Sequence, residues 1–322
     1  MKLSVVIPTY NRKDSLLITL NGLTQQTFPA EDFEVIVISD GSTDGTDELL
    51  ASYAKTSPYT LRAITQSNAG PSRARNRGIQ EAHFDVVVFI DDDVEPSPGF
   101  LAVHASHHFK NDRIAVLGPL SPDPEMSTQE PAWIAWEHAK LQDIYNMFKP
   151  GGEWYGAPAA PFHFYSGNAS VRTEWLRAVN GFDEYYTRQE DVELAVRLER
   201  ECGMKFEFDF AANGIHRPHR TFESWLRIPK AYGSFDASRI EAGLLNWSDI
   251  EANINKRNPA TRFLSWLCRV CPFVLPAIVG TLKQCAVTLY RLGTRSPALA
   301  ALSALYNVCY VSAATKALPA AK

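Results

Sequence analysis

The chain has 322 residues, enough for one large or two modest domains with buried cores. Its composition is that of a globular protein, with 45% hydrophobic and 21% charged residues, and its net charge of −4 argues against a protein that binds nucleic acid through phosphate contacts. The five cysteines are odd in number and lie late in the chain, which argues against a disulfide framework and predicts a reducing, cytoplasmic compartment.

Strand and helix patterns alternate through the first third of the chain. The apolar stretch at the N-terminus is too short for a signal peptide and predicts a first strand. Strands are predicted over 3–7, 33–38, 61–65, 86–90 and, later, 205–210, and helices over 14–26, 47–53, 72–81, 189–202 and 221–240. This alternation predicts an α/β fold with a mainly parallel sheet flanked by helices.

The middle and the end of the chain have a different composition. Residues 119–165 are rich in Pro, Gly and aromatic residues such as Trp133, Trp136 and Trp154, which suits the wall of a substrate site or, alternatively, a hydrophobic sub-core. Two apolar stretches, 263–282 and 298–314, are interrupted by Arg and Pro or flanked by basic residues. Neither is the clean run of about 20 residues that spanning requires, so we expect helices lying in the bilayer interface. A packed helical hairpin, a dimer contact and true spanning are the alternatives.

Three consecutive carboxylates end the predicted strand over 86–90. Ligands of open α/β sheets bind beyond the carboxyl ends of the strands, where Asp91, Asp92 and Asp93 would repel one another. A divalent cation such as Mg²⁺ or Mn²⁺ would remove this repulsion while keeping water and substrate phosphates as its other ligands. The alternative is a solvated acidic turn that caps the next helix.

Polar clusters also follow the three earlier strands. They are Pro8-Thr9-Tyr10-Asn11-Arg12, residues 39–45 and residues 66–77. In a doubly wound sheet these loops converge on one crevice, and their side chains suit a nucleotide. Tyr10 can face a base ring, Asp40 can accept from a base N–H, and Arg73 or Arg75 can pair with phosphate. The absence of GxGxxG after the first strand and of GxxxxGK[ST] disfavours a dinucleotide fold and a Walker-type loop.

Two carboxylates open the predicted helix over 189–202. The helix dipole favours Glu190 and Asp191 at this position, so capping alone would explain them. One of the pair can also deprotonate an acceptor hydroxyl as a general base. His216 is expected to complete the metal shell or to contact phosphate, unless it only packs, and the cationic run over 215–220 suits a diphosphate.

Together these motifs resemble the family 2 glycosyltransferases, which are inverting enzymes of the GT-A (Rossmann-like) fold. The resemblance covers about residues 3–220 and leaves the tail uncovered. The matching motifs are Ser4–Asn11, Asp40–Asp44, Asn68–Gly70 with Arg73 and Arg75, Asn76–Gly78, Phe89–Asp93, Gly167–Arg172, Gly181–Glu184 and Glu190-Asp191.

The resemblance implies a nucleoside-diphosphate sugar donor, usually a uridine one, and Mn²⁺ or Mg²⁺. It implies Asp191 as the catalytic base with Glu190 beside it, and the Asp91–Asp93 group as the metal-binding motif, with Asp93 as the first candidate for a direct ligand. Together with His216 from the interpretation above, the expected metal ligands are Asp91, Asp93 and His216. Asp92 fills a middle position that usually varies, so which two aspartates bind metal stays open. The expected donor-binding residues are Pro8, Thr9, Tyr10, Arg12, Asp40, Asn68, Arg73, Arg75, Asp91, Asp92, Gly167 and Asn168.

The predicted organisation is one GT-A domain followed by a helical extension. Residues 1–118 form the nucleotide-sugar-binding half, 119–240 the acceptor-binding and catalytic half, and 241–322 a tail associated with the inner face of the cell membrane. The predicted reaction transfers one or a few sugars, with inversion, to a hydroxyl of a glycan or lipid-linked acceptor. No QxxRW motif of the processive synthases occurs. A homodimer is compatible with this organisation.

Three alternative functions share parts of the predicted site. A sugar nucleotidyltransferase has the same metal chemistry but normally carries a glycine-rich basic loop after its first strand, and this chain lacks glycine there. A hydrolase would release the sugar to water. A non-catalytic sugar-nucleotide sensor or membrane scaffold would keep the residues without the chemistry.

Overall fold

The computed structural model describes residues 1–125 and 130–317. Residues 126–129 and 318–322, on which parts of the predicted acceptor-binding half and of the tail fall, lie outside the described residues. The chain forms two compact units. The first is Met1–Glu125 with Leu141–His219, and the second comprises the described residues among Met126–Lys140 and Arg220–Lys322. These units reflect packing, so the functional halves drawn at 118 and 240 stay predictions.

The first unit contains two sheets. Its strands are β1 (Leu3–Thr9), β2 (Phe33–Asp40), β3 (Thr60–Gln66), β4 (Val86–Ile90), β5 (Val94–Pro96), β6 (Ile114–Leu117), β7 (Leu120–Pro122), β8 (Asn168–Arg172), β9 (Lys205–Phe208) and β10 (Gly214–His216). The main sheet has the order β3-β2-β1-β4-β8-β6-β9, and the small sheet has the order β5-β10-β7. All neighbouring strands of the main sheet are parallel except β8, which is antiparallel to β4 and β6. The mainly parallel sheet is therefore confirmed.

Helices cover both faces of the main sheet. They are α1 (Lys13–Thr24), α2 (Thr46–Tyr53), α3 (Pro71–Glu81), α4 (Phe100–Lys110), α6 (Thr173–Ala178) and α7 (Glu190–Cys202), while α5 (Ala132–Met147) has residues in both units. Strands buried on two faces need continuous apolar runs, and Val5, Ile36 and Val88 are fully buried. Helix α3 lies so close to β1 that a Cβ at Gly78 would come 2.2 Å from Val6 Cγ1.

The second unit is helical. It contains α8 (Phe222–Glu241), α9 (Trp247–Asn255), α10 (Pro259–Val270), α11 (Leu275–Arg291) and α12 (Arg295–Ala314). Helix α12 packs on α8, α10 and α11 around the fully buried Trp225. Trp136 stacks on Tyr306 with ring centroids 5.0 Å apart, and Trp133 packs edge-on against Phe222. These two tryptophans thus belong to a hydrophobic sub-core. This was the alternative to the wall of a substrate site that the composition of residues 119–165 also suited.

Two segments of the second unit are long and apolar enough to cross a membrane by length and composition. They are Pro272–Arg291 and Arg295–Ala314. Half of the second segment is buried within the protein, whereas only 6% of the first is buried. A core helix passes the same test as a spanning helix, so membrane association stays a prediction.

Candidate active site

Strand register brings the end of β1 to the aspartates that follow β4. Val6 of β1 pairs with Phe89 of β4 in parallel register, so extending both strands by three residues sets Thr9 beside Asp92. The Thr9 hydroxyl donates a hydrogen bond to Asp92 Oδ2 at 2.7 Å. The predicted meeting of these two polar loops at one edge of the sheet is therefore observed.

Arg12 binds two of the three aspartates. Its Nη1 donates to Asp92 Oδ1 at 3.0 Å and to Asp93 Oδ2 at 2.8 Å. Burial raises the pKa of the Asp92 carboxyl to about 7, with Arg12 opposing the shift and Asp93 adding to it. Burial acts to lower the pKa of the Arg12 guanidinium, but the charges of both aspartates raise it above its ordinary value. Because the Asp92 and Asp93 side chains are only 7% and 3% exposed, a solvated acidic turn is excluded.

The small sheet brings His216 to Asp93. In the antiparallel pairing of β5 with β10, His216 lies opposite Val94, the residue that follows Asp93. The backbone N–H of Arg217 donates to the Asp93 carbonyl oxygen at 2.8 Å. As a result, His216 Nε2 lies 3.6 Å from Asp93 Oδ1.

Asp93 and His216 fit one side of a divalent-cation site. Carboxylate oxygen and imidazole nitrogen both bind metals such as Mn²⁺. Neighbouring ligands of an octahedral ion with bonds of about 2.1 Å lie roughly 3 Å apart, close to the separation of these two atoms. No group of three or more His, Cys, Asp or Glu side chains in residues 1–125 and 130–317 is arranged to hold a metal. Such an ion would take its remaining ligands from water and phosphate, as nucleotide-bound ions do.

Asp91 has a different partner from the other two aspartates. Its Oδ1 accepts a hydrogen bond from Arg75 Nη2 at 2.7 Å, and its side chain is 36% exposed. Because Ile90 pairs with Asn168 in the antiparallel β4–β8 ladder, Gly167 lies opposite Asp91. A Cβ at Gly167 would come 2.8 Å from Asp91 Oδ2. Gly167 therefore contributes to the site by leaving room for this carboxylate.

Arg75 connects Asp91 to the start of α7. Burial acts to lower the pKa of its guanidinium, but nearby carboxylates raise it, chiefly Asp91 and Asp191. Burial raises the pKa of Asp191 to about 6, with Arg75 opposing the shift and Glu190 adding to it. Asp191 Oδ1 is buried and has no hydrogen-bond partner among the residues that the structure describes. A carboxyl group that titrates near neutrality and has an unused oxygen is suited to accept a proton.

The backbone turns sharply before α7. Gln189 has the left-handed conformation, with φ 60° and ψ 18°, which is uncommon for a residue other than glycine. Glu190 and Asp191 follow as the first two residues of the helix, where the helix dipole favours carboxylates. Sparsely populated backbone conformations concentrate at functional sites.

The site as a whole has an excess of negative charge. Its five carboxylates belong to Asp91, Asp92, Asp93, Glu190 and Asp191, and the guanidinium groups beside them are those of Arg12 and Arg75. Like charges in a poorly solvated region raise carboxyl pKa values, as at Asp92 and Asp191. A bound divalent cation would offset this charge.

Asp40 and Asn68 organise the loop that leads into α3. The Asp40 carboxylate accepts from Gln66 Nε2 at 2.8 Å and from the backbone N–H groups of Ala69 and Gly70 at 2.9 and 2.8 Å. Asn68 Nδ2 donates to the Asp40 carbonyl oxygen at 2.9 Å. Asp40 is only 4% exposed. The structure thus gives both residues a positioning role, and their contact with a nucleotide base stays a prediction.

Asn168 is occupied within the fold. Its Nδ2 donates to the carbonyl oxygens of Pro119 and Ala212 at 3.0 and 2.8 Å, and its Oδ1 lies 3.1 Å from His104 Nε2. Asn168 is 1% exposed. These contacts use both amide hydrogens, so the placement does not support the predicted donor contact. The residue instead fixes β8 beside the site.

Two predicted phosphate-binding cations are paired with carboxylates. Arg73 is exposed and lies 2.9 Å from Glu184. Arg217, in the cationic run over 215–220, donates to Glu95 and Asp123. The run therefore does not offer this guanidinium to a diphosphate. Two further predicted donor-binding residues lie at the end of β1: Tyr10 is 51% exposed and Pro8 is partly buried.

Asn76 is a residue to which no role was predicted. Its side chain brackets the backbone of Phe182, donating to the carbonyl oxygen at 2.8 Å and accepting from the N–H at 2.7 Å. The Phe182 ring lies 5.8 Å from the Arg75 guanidinium. Asn76 therefore connects α3 to the turn that precedes α7. The matched motifs Asn76–Gly78 and Gly181–Glu184 were the available signal, but the sequence does not show that they touch.

Comparisons with known proteins identify the family. The family model described as glycosyl transferase family 2 matches residues 4–175. Validoxylamine A glucosyltransferase from Streptomyces hygroscopicus subsp. jinggangensis is 31% identical over 250 residues, covering 69% of this chain and 57% of that protein. Poly(ribitol-phosphate) beta-N-acetylglucosaminyltransferase TarS from Staphylococcus aureus is 36% identical over 93 residues, covering 29% of this chain and 16% of TarS. This chain spans between 53% and 65% of the length of three curated relatives that it matches.

Solved structures share the fold. A mannosyltransferase from Pyrobaculum calidifontis in complex with GDP-Man and Mn²⁺ has a TM-score of 0.58 and 20% identity, covering 94% of this chain and 86% of that one. Residues 1–349 of S. aureus TarS in complex with UDP have a TM-score of 0.52 and 17% identity, covering 94% and 90%. The predicted GT-A fold with a helical C-terminus is confirmed. With the family model matching more than half of its residues, the chain belongs to glycosyl transferase family 2.

Proposed function

We propose that this chain is an inverting glycosyltransferase that moves a sugar from a nucleoside-diphosphate sugar to a hydroxyl of a glycan or lipid-linked acceptor. The observation that carries the proposal is the convergence of Asp93 with His216, and of Asp91 with Arg75 and Asp191, at one edge of the main sheet. Membership of the family supports this reaction class. The TarS structures in complex with UDP and UDP-GlcNAc support a uridine donor.

The donor diphosphate is proposed to bind at the aspartates with Mn²⁺ or Mg²⁺. Asp93 and His216 would hold the ion, with Asp91 as the most exposed of the three aspartates available to it. Bound there, the ion supplies positive charge that stabilises the departing diphosphate. Arg12 holds Asp92 and Asp93 in place, and Gly167 leaves space for Asp91. The Mn²⁺ in the mannosyltransferase structure supports this cofactor.

Asp191 is proposed to act as the general base of a single displacement. Its carboxylate takes the proton of the acceptor hydroxyl while the acceptor oxygen bonds to the anomeric carbon. The bond from that carbon to the diphosphate oxygen breaks on the opposite side, so the configuration inverts and the electron pair leaves with the diphosphate. A retaining glycosidase would instead need two carboxylates as nucleophile and acid–base. Arg75, between Asp91 and Asp191, keeps the base ionised near neutral pH.

The acceptor is proposed to be a glycan or a lipid-linked molecule. A groove of about 420 Å³ beside the edge strand β9 is lined by aromatic residues that include Phe148, Trp154 and Phe208. Aromatic rings that line a groove can bind the apolar faces of sugars. The apolar helices of the second unit support peripheral association with the inner face of the cell membrane, and a homodimer is a compatible assembly.

The test is release of nucleoside diphosphate from a panel of nucleotide sugars, with Mn²⁺ or Mg²⁺ and with or without acceptor. We expect release from one nucleotide series to be stimulated by a membrane or glycan extract and to be lost in Asp191→Asn. Release that no acceptor stimulates would indicate a hydrolase. Binding without release would indicate a sensor, and pyrophosphate formation from a nucleoside triphosphate and a sugar phosphate would indicate a nucleotidyltransferase.

A further inference from the structure

The C-terminal part of the sequence carries charge of one sign. Residues 252–322 contain nine Lys or Arg and no Asp or Glu. Since the whole chain has a net charge of −4, residues 1–251 have a net charge of −13. A segment of nine positive charges in an otherwise acidic protein is attracted to an anionic surface.

Most of the large exposed apolar side chains of this segment lie on α10 and on the turn after it, and Leu292 lies apart from them at the end of α11. Phe263, Trp266 and Val270 are 58%, 55% and 50% exposed, and Phe273 is 82% exposed. The spacing of three or four residues places Phe263, Trp266 and Val270 on one helical face, and Phe273 lies in the turn that follows α10. We call these four residues the α10 face.

Helix α11 presents a different surface, although it lies in a segment that is long and apolar enough to cross a membrane. Its exposed positions are mostly small or polar, and they include Ala277, Gly280 and Gln284. Larger residues such as Val279 and Leu282 pack on the hydrophobic cluster of the second unit. The exposed apolar surface that lacks a partner among the described residues is therefore centred on α10 and not on α11.

A groove of about 510 Å³ lies between α9 and α10, beside the α10 face. Its lining includes Trp247, Ser265, Arg262 and Arg269. Ser265 is only 2% exposed, and its hydroxyl has no hydrogen-bond partner among the described residues. The indole N–H of Trp247 is also buried and also has no hydrogen-bond partner among the described residues. The Arg269 guanidinium lies 5.2 Å from the centre of the Trp247 ring. Glu251 also lines the groove, and its Oε1 lies 3.8 Å from Arg269 Nη1. The groove thus combines unused donors and aromatic surface with two cations and one carboxylate.

We propose that this groove and the α10 face together form the surface by which the protein docks on a bilayer that contains anionic lipids. The proposal rests on the membrane association given under the proposed function and names the part of the chain that makes it. Aromatic side chains insert at the level of the headgroups, and arginines pair with lipid phosphates. The unpartnered Ser265 hydroxyl and Trp247 N–H donate to the headgroup oxygens, and the nine positive charges of residues 252–322 favour anionic over zwitterionic lipid.

The test is co-sedimentation of the full chain with vesicles of mixed phosphatidylglycerol and phosphatidylcholine, compared with phosphatidylcholine alone. We expect binding to the mixed vesicles, weakened about fivefold by each of Arg262→Gln and Arg269→Gln. Trp266→Ser combined with Phe273→Ser should weaken binding about tenfold or more. Phe109→Ser and Arg200→Gln are matched controls, because these side chains of the first unit are 67% and 68% exposed. The controls should bind as the unmodified chain does.

The outcomes separate this proposal from the proposed function. Unchanged vesicle binding by the α10 variants would overturn the assignment of the surface while leaving membrane association intact. Equal binding to both vesicle types would overturn the headgroup assignment, and no binding at all would overturn both. If the unmodified chain did not bind vesicles but formed a dimer that Trp266→Ser dissociated, the α10 face would be a dimer interface and the proposal would be overturned. Nucleoside-diphosphate release should be the same in all these variants, so a failure of the transferase function is seen independently.

Discussion

The substitution Asp191→Asn is predicted to have opposite effects on stability and on turnover. Burial raises the pKa of Asp191 from 3.8 to about 6, so ionising this group costs more in the folded protein than in the unfolded chain. One pKa unit corresponds to about 1.4 kcal/mol, which puts the cost at neutral pH at about 3 kcal/mol. Asn has the same shape without the charge, and Arg75 keeps its bond to Asp91. We expect the free energy of unfolding to rise by about 1–3 kcal/mol at pH 7.

The same change removes the proposed base. Turnover should fall by at least about 10²-fold, the lower end of general-base contributions, while donor binding stays near that of the unmodified chain. Urea unfolding at pH 7 measures the first effect, and nucleoside-diphosphate release with acceptor measures the second. Glu199→Gln is a matched control, because Glu199 is an exposed carboxylate on the same helix. It should change neither quantity.

Two results would refute this reasoning separately. An Asn variant with undiminished turnover would remove Asp191 from the role of base. A variant that unfolds more easily than the unmodified chain at pH 7 would show that the Asp191 carboxylate is stabilised by its surroundings, contrary to the burial argument.

Three further predictions concern pH and packing. Because Asp191 must be ionised to accept a proton, kcat/KM should rise with pH through an apparent pKa of about 6 and level off above it, as a pH–rate profile would show; a flat profile would contradict the assignment. Burial lowers the pKa of His104 to about 4 and of His108 to about 3, so both are neutral in the fold. As pH falls below about 6.5, the unfolded chain takes up protons on these two histidines before the folded protein does. The free energy of unfolding should therefore decrease between about pH 6.5 and pH 4, by about 3 kcal/mol for His104 alone. Urea titrations at several pH values measure this decrease. Gly167→Ala would place a Cβ 2.8 Å from Asp91 Oδ2, so kcat/KM should fall about tenfold or more with little change in thermal stability; unaltered kinetics would show that Asp91 tolerates displacement.

The central strands could be predicted because they are buried on both faces. A strand of this kind needs an uninterrupted apolar run, and the run over 86–90 is β4 without a change of bounds. Helix α3 was predicted over 72–81 and is observed at Pro71–Glu81. Polar loops at the carboxyl ends of such strands converge by topology, which is why Thr9 and Asp92 could be assigned to one site.

Helix α5 could not be predicted, because its two ends pack in different places. Trp133 and Trp136 belong to the hydrophobic cluster of the second unit, whereas Leu141 packs in the core of the first. The Tyr145 hydroxyl accepts from the backbone N–H of Leu120, also in the first unit. An apolar face that changes direction along the helix leaves no single stripe in the sequence.

The finer site assignments depended on partners that the sequence does not show. Strands β5 and β10 have three residues each and are far apart in the sequence, so their pairing, which brings His216 to Asp93, has no local signal. Asn168 and Arg217 have the hydrogen-bonding groups of ligand-binding residues, but carbonyl oxygens and carboxylates of the fold engage them. Residue type indicates what a side chain can bind, and the fold decides what it does bind.

The most direct test of the proposed donor site is calorimetric titration of the full chain with UDP and GDP, in Mn²⁺ and in a chelator. We predict that one nucleotide binds with Mn²⁺ and that its affinity falls at least about tenfold in the chelator. Asp93→Ala should lose the metal-dependent part of the binding, and Glu199→Gln should keep it. The account would be contradicted if neither nucleotide bound in the presence of Mn²⁺. It would also be contradicted if the nucleotide bound with full affinity in the chelator and Asp93→Ala did not change that affinity.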